Sequence, residues 1–132
     1  MVETISVNTS SGEEFKDITG LVADKVKSAG VREGIVTVFV PHTTAAVTIN
    51  ENADPSVVRD IISSLDKVIP LAGNYSHLEG NSHAHIKSSI IGSSRQIIVE
   101  GGKLKLGTWQ GIYFCEFDGP RRREVWIKIL AT

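Results

Sequence analysis

Apolar and polar positions along this chain follow two rhythms. Ile5 and Val7 alternate with polar neighbours, which is the period of a short, half-buried strand. Phe15, Ile18, Leu21, Val22 and Val26 recur at helical spacing and predict a helix from about Thr19 to Ala29, with Gly30 as its stop. Ile35 to Val40 is β-branched and apolar, a buried strand ended by Pro41. Ala46 to Ile49 reads as the next strand. Asp54 and Pro55 open a second helix, because Asp54 can cap free amides and Pro55 suits the first helical position. Val57, Val58, Ile61, Ile62 and Leu65 give that helix an apolar stripe.

Gly73 to Ser82 is polar and turn-rich, so it reads as a loop. A short third helix is expected from about His83 to Ile91, with Gly92 at its end. Strands over Gln96 to Glu100 and Lys103 to Leu106 flank a tight Gly101-Gly102 turn. Gln110 to Phe117 and Glu124 to Leu130 read as a further pair joined through Asp118-Gly119-Pro120. About seven strands and three helices result, with few connections suited to parallel crossovers. The expected fold is α+β, with mainly antiparallel sheets, in a single domain over residues 1–132.

Composition narrows the function. Hydrophobic residues make up 41% and charged residues 22%, which fits a globular protein and excludes a disordered one. A net charge of -1 argues against a global pull on nucleic acid or an anionic membrane. No apolar run approaches the roughly 20 residues that span a bilayer. Cys115 is the only cysteine, so no internal disulfide can form. Met1 to Thr4 shows no basic segment leading into an apolar one, and a cytoplasmic setting is expected.

Four stretches carry candidate chemistry. Pro41-His42-Thr43-Thr44 lies where a buried strand ends. His42 can be a metal ligand, a general base or a locally bonded turn residue, and Thr43 and Thr44 can offer hydroxyls to an anion. His77, Asn81, His83, His85 and Lys87 form a denser group. On a helix His83 and His85 point nearly opposite ways, so one of them at most joins His42. His85 is preferred, and His77 is a third group if the loop folds back. Such imidazoles suit zinc or another borderline ion, although no tight ligand motif enforces a site. Glu51, between strand and helix, can act as acid, base or ligand. In Gly107-Thr108-Trp109-Gln110-Gly111, Trp109 can stack on a heterocycle and Gln110 read its edge, or the tryptophan can simply be core. Asp118-Gly119-Pro120 is a turn leading into three arginines, which can bind phosphate or line a solvated edge. If a strand begins there, Arg121 and Arg123 share a face. Cys115 reads as a small buried side chain.

Several ordered segments resemble one known family. They are Pro41-His42-Thr43-Thr44-Ala45, Thr48-Ile49-Asn50-Glu51 with Asp54-Pro55, and Gly80-Asn81 with Ala84-His85-Ile86-Lys87. Leu106 to Ile112 and Glu116 to Arg121 follow. Across essentially its whole length the chain resembles the YjbQ-like, or secondary thiamine-phosphate synthase, family. The resemblance implies a β-sandwich within the α+β fold, and a homotrimer with sites near subunit boundaries. His42 and His85 match recurrent histidines, His77 matches a frequent one, and His83 falls where other residues are common. The implied activity joins a pyrimidine diphosphate to a thiazole phosphate. Arg121, Lys87 or a histidine-bound divalent ion (zinc, manganese or magnesium) would meet the diphosphate, and no organic cofactor is expected. The same histidines would also suit a metal-assisted hydrolase of a phosphorylated or cyclic metabolite, or a trimer that only binds metal or ligand.

Overall fold

Strict inside–outside alternation builds the larger of two sheets. The computed structural model describes residues 1–132. Strands β1 (Glu3–Asn8), β3 (Glu33–Phe39), β5 (Ser94–Glu100), β6 (Lys103–Leu104) and β8 (Arg122–Ala131) form this sheet in the order β1-β8-β3-β5-β6. Ile5, Val7, Val36, Val38, Ile97, Val99, Val125 and Ile127 point inward. Strands β2 (Glu14–Asp17), β4 (Ala45–Glu51) and β7 (Gln110–Glu116) form a smaller sheet in the order β2-β7-β4. Every pairing is antiparallel.

The two sheets close a sandwich around sixteen buried apolar residues. Helix α1 (Thr19–Ala29) contributes Val22 and Val26 to this core and ends at Gly30, whose left-handed φ of 69° suits glycine. Helices α2 (Pro55–Val68) and α3 (Ser82–Ile91) lie over the outer face of the small sheet. Ala46, Ala84, Tyr113, Cys115 and Phe117 make a second apolar cluster there, with Val58 and Leu65 of α2 against it. Strand β7 is covered on both faces, so Gly111 to Glu116 are all buried. The Asp54 carboxylate accepts the Ser56 amide at 2.9 Å, the expected start of α2.

The α+β class, the three helices and the antiparallel sandwich agree with the sequence reading. Two details do not. Phe15 is not on the helical stripe; it lies on β2, an eighth strand, and packs near Tyr113 and Phe117. A segment of four residues is too short to show a period of its own. Strands β7 and β8 are not a hairpin. The Asp118–Pro120 turn carries the chain from the small sheet to the large one.

Candidate functional site

β3 ends at Phe39, and after the Val40–Thr44 bend around Pro41 the chain returns as β4 from Ala45. His42 occupies that bend and reaches over the start of β8. Its Nε2 accepts a hydrogen bond from the Glu124 amide at 2.9 Å. An accepting nitrogen carries no proton, so the neutral ring holds its proton on Nδ1. Burial and then the nearby Arg123 charge hold the His42 pKa below the usual histidine value, which favours this neutral form.

Behind His42 lies a buried ion pair. Arg123 Nε donates to Glu116 Oε1 at 2.8 Å, and its Nη2 bonds both Glu116 Oε2 and, at 2.9 Å, Thr44 Oγ1. The Thr9 hydroxyl and the Asp118 amide donate to the same carboxylate at 2.7 and 3.1 Å. Burial pushes the Glu116 pKa up, but these donors outweigh it and hold it below the ordinary glutamate value. The network ties the bend before β4 to the entry of β8.

Helix α3 supplies the opposite wall. His83 is buried, with Nδ1 3.2 Å from Lys87 Nζ. His85 turns the other way, as its spacing requires, and lines a pocket of about 360 Å³ together with His42, Thr43, Ser88, Ser89 and Ser93. Ala45 and Gly92 complete the lining, so no Lys, Arg, Asp or Glu side chain is part of it. Ser88 is buried, and its Oγ has no hydrogen-bond partner. Imidazoles and hydroxyls around one pocket can bind an oxygen-rich ligand and transfer protons to it. His77 stands beside this wall, its ring centroid 5.3 Å from that of His85. The two imidazoles are close enough to share a ligand, but no three His, Cys, Asp or Glu side chains gather as a metal cluster within the chain.

The other sequence candidates lie elsewhere. Lys87 is not free for a substrate: it is fully buried, bonded to Glu13 at 2.9 Å and Asp66 at 2.5 Å. Thr44 is buried, and its hydroxyl accepts from Arg123. Arg121 is exposed and paired with Asp118 at 3.1 Å, which also accepts from Asn81 Nδ2 at 2.9 Å. Arg121 and Arg123 do not act as one surface; the strand begins at Arg122, and only Arg123 turns inward. Glu51, Trp109 and Gln110 gather at the far end of the small sheet, where Glu51 pairs with Gln110, whereas Ala45, next to the pocket, pairs with Glu116. Six residues of strand separate those ends by roughly 20 Å. Trp109 is exposed rather than core, and Gln110 Oε1 accepts the Gly107 amide. Burial raises the Cys115 thiol pKa, consistent with an unreactive core residue.

Sequence reasoning missed Ser88, Ser89, Ser93 and Glu116, and it read Arg123 as a phosphate-binding or edge cation where the structure makes it half of a buried ion pair. Alternation does hold a signal for Arg123, because it keeps the same parity as buried Val125 and Ile127.

His42 and His83 give the protein a pH dependence. Burial and then Lys87 lower the His83 pKa, just as burial and then Arg123 lower that of His42. The unfolded chain therefore binds more protons than the folded one just below the ordinary histidine value of 6.5. Stability should fall as pH drops through that window. Thermal unfolding should give a lower midpoint at about pH 5.5 than at about pH 7.5, with a shallower dependence in a His42→Gln/His83→Gln variant. Equal slopes in both proteins would contradict this account.

Fold and pocket together define a small α+β sandwich protein with an imidazole–hydroxyl site at one end. A family model described as UPF0047 protein YjbQ-like matches residues 3–132, and the chain belongs to that family. It is 54% identical over 131 residues to a UPF0047 protein of Methanocaldococcus jannaschii, covering 99% of this chain and 95% of that one. It is 48% identical over 132 residues to the UPF0047 protein YugU of Bacillus subtilis, covering 99% and 100%. The crystal structure of an uncharacterized YjbQ/UPF0047 family protein from Clostridium acetobutylicum superposes with a TM-score of 0.96 at 62% identity, covering 97% and 99%. No helix of the chain is long and apolar enough to cross a membrane.

Proposed function

We propose that the chain is a cytoplasmic enzyme acting on a small phosphorylated metabolite in the His42–His85 pocket, with thiamine-phosphate synthase-like transfer as its reaction. In that reaction the carbon–oxygen bond of the pyrimidine diphosphate breaks, the thiazole nitrogen bonds that carbon, and pyrophosphate leaves. The observation that carries the reading is the fixed tautomer of His42. Nε2 is held by the Glu124 amide, so Nδ1–H is the group left to donate toward a substrate oxygen. His85, on the opposite wall, is the second imidazole and can accept or return a proton.

The neutral lining makes one demand. A diphosphate leaving group needs positive charge, and none lines the pocket within one chain. A divalent ion held by His85 and His77 would supply it, with further ligands from substrate or water. His42 suits that role less, because its Nε2 is occupied and its Nδ1 protonated. The adjacent His77 and His85 rings also support a second reading, metal-assisted hydrolysis of a phosphorylated or cyclic metabolite. Glu51, Trp109 and Gln110 lie too far off to reach the same substrate from one chain. Self-association as the homotrimer that the resemblance implies would give that end a route to a neighbour's pocket.

A His42→Ala/His85→Ala variant should lose about 100-fold or more of synthase turnover, the scale of lost acid–base catalysis. Metal analysis of both proteins separates the readings. Metal bound only by the wild type, with hydrolysis but no synthase turnover, selects the hydrolase. Full turnover in the double variant would sink the pocket as the active site.

A further inference from the structure

Strands β3 and β5 run antiparallel side by side, and both connect the histidine pocket to a second, larger concavity. His42 and Thr43 follow β3, and Ser93 precedes β5. At the other ends, Arg32 precedes β3, while Gly101 and Gly102 follow β5. Each strand is seven residues long, so the two hollows lie roughly 20 Å apart. The second hollow has a volume of about 660 Å³, within the range of small-molecule sites.

Its lining is chemically unlike the first. Val26, Leu104 and Leu106 make an apolar floor that continues the main core. Lys27, Arg32 and Lys103 stand around it, against Asp24 as the only acid. None of these charged groups forms a salt bridge, unlike nearby Lys105, which pairs with Glu100 at 2.7 Å. Three unpaired cations against one carboxylate leave a surplus matching a dianion, in a chain whose net charge is -1. The Gly101-Gly102 turn, with φ of 61° and 78°, takes a left-handed backbone that suits glycine and brings that backbone beside the Arg32 side chain. The C-terminal carbonyls of α1 repel an anion, which places its charge toward Arg32 and Lys103.

We propose that this cleft is a second ligand site, for a small organic phosphate carrying an apolar or aromatic body. The phosphate meets Arg32 and Lys103, and the body covers the half-buried Leu104 and Leu106, with buried Val26 beneath them. This site does not depend on the reaction assigned to the histidine pocket.

Amide-resolved NMR titration of the full-length protein with phenyl phosphate tests it, alongside inorganic phosphate. Saturable shifts are expected at Arg32, Gly101, Gly102 and Lys103, and weaker ones with inorganic phosphate, which lacks the body. An Arg32→Ala/Lys103→Glu variant should bind at least about tenfold more weakly while keeping its other amide positions. Should that variant not fold, Lys27→Glu alone should show weakened binding. A His42→Ala/His85→Ala variant should bind like wild type. Absence of saturable shifts at millimolar ligand, shifts confined to the histidine pocket, or undiminished binding in the charge variants would overturn the proposal.

Discussion

Replacing Arg123 by Met should cost roughly 3–5 kcal/mol of folding stability, the scale for breaking a buried ion pair from one side. Arg123 and Glu116 are both essentially inaccessible, at 3% and 0% exposure. Without the guanidinium, Glu116 keeps only the Thr9 hydroxyl and the Asp118 amide as donors. A carboxylate so buried takes up a proton instead, and its pKa rises. For a chain of this size the loss corresponds to a fall in thermal midpoint of roughly 10–20 °C. Two further measurements tie the loss to the charge. A Glu116→Gln/Arg123→Met double variant should recover much of it, because a neutral pair leaves no uncompensated ion. The single variant should also lie closer to wild type in acid. A carboxyl with a raised folded pKa stabilises the protein below its unfolded pKa and loses that contribution as pH rises. An Arg123→Met protein within about 1 kcal/mol of wild type, the ordinary effect of a point substitution, would show that the pair is not integral to the fold. The pocket should suffer as well. Arg123 precedes Glu124, whose amide holds His42, and it bonds Thr44 at the end of the bend.

How far the sequence could be read follows from the range of each signal. Periodicity reports which face of one element is buried, so β3, α1 and α2 were legible from Val36 and Val38, Val22 and Val26, and the Asp54-Pro55 start. Pairing partners are not periodic. Nothing local in Asp118-Gly119-Pro120 distinguishes a hairpin from a crossing between sheets. Site residues divide the same way. His42 and His85 were legible because histidines at element ends are uncommon enough to notice. Lys87 looked like a free cation, since its counter-charges Glu13 and Asp66 are 74 and 21 residues away. Thr44 is in the same position, its hydroxyl taken by a residue 79 positions on. Ser88, Ser89 and Ser93 carry no sequence signal of their own. They become notable only when α3 is laid beside the His42 bend, and no pattern within either segment specifies that contact.

Charging the open face of the large sheet should break the proposed trimer. The small sheet is covered by α2 and α3, but the large one presents Ile35, Phe39, Ile98, Trp126 and Leu130 on its outer side. Register places them together, with Phe39 opposite Trp126 and Ile35 opposite both Leu130 and Ile98. Phe39 and Trp126 stack with centroids 5.9 Å apart. Large apolar side chains gathered on one open face mark a candidate contact surface. Thr37 and Lys128, paired between them, interrupt it without dividing it. Under the proposed trimeric assembly these side chains are where copies meet. Wild type at micromolar concentration should then scatter light as three chains of 14.3 kDa. A Phe39→Glu/Trp126→Glu variant should scatter as one, because carboxylates facing one another across a closed contact lose hydration without gaining partners. The outward positions do not touch the core, so the variant should keep wild-type circular dichroism and a cooperative melt at a lower temperature. Turnover in the histidine pocket should fall with the mass if a neighbour's Trp109 end completes the site, and hold if each chain acts alone. A monomeric wild type would remove the assembly, and an unchanged mass in the variant would move the contact to another face.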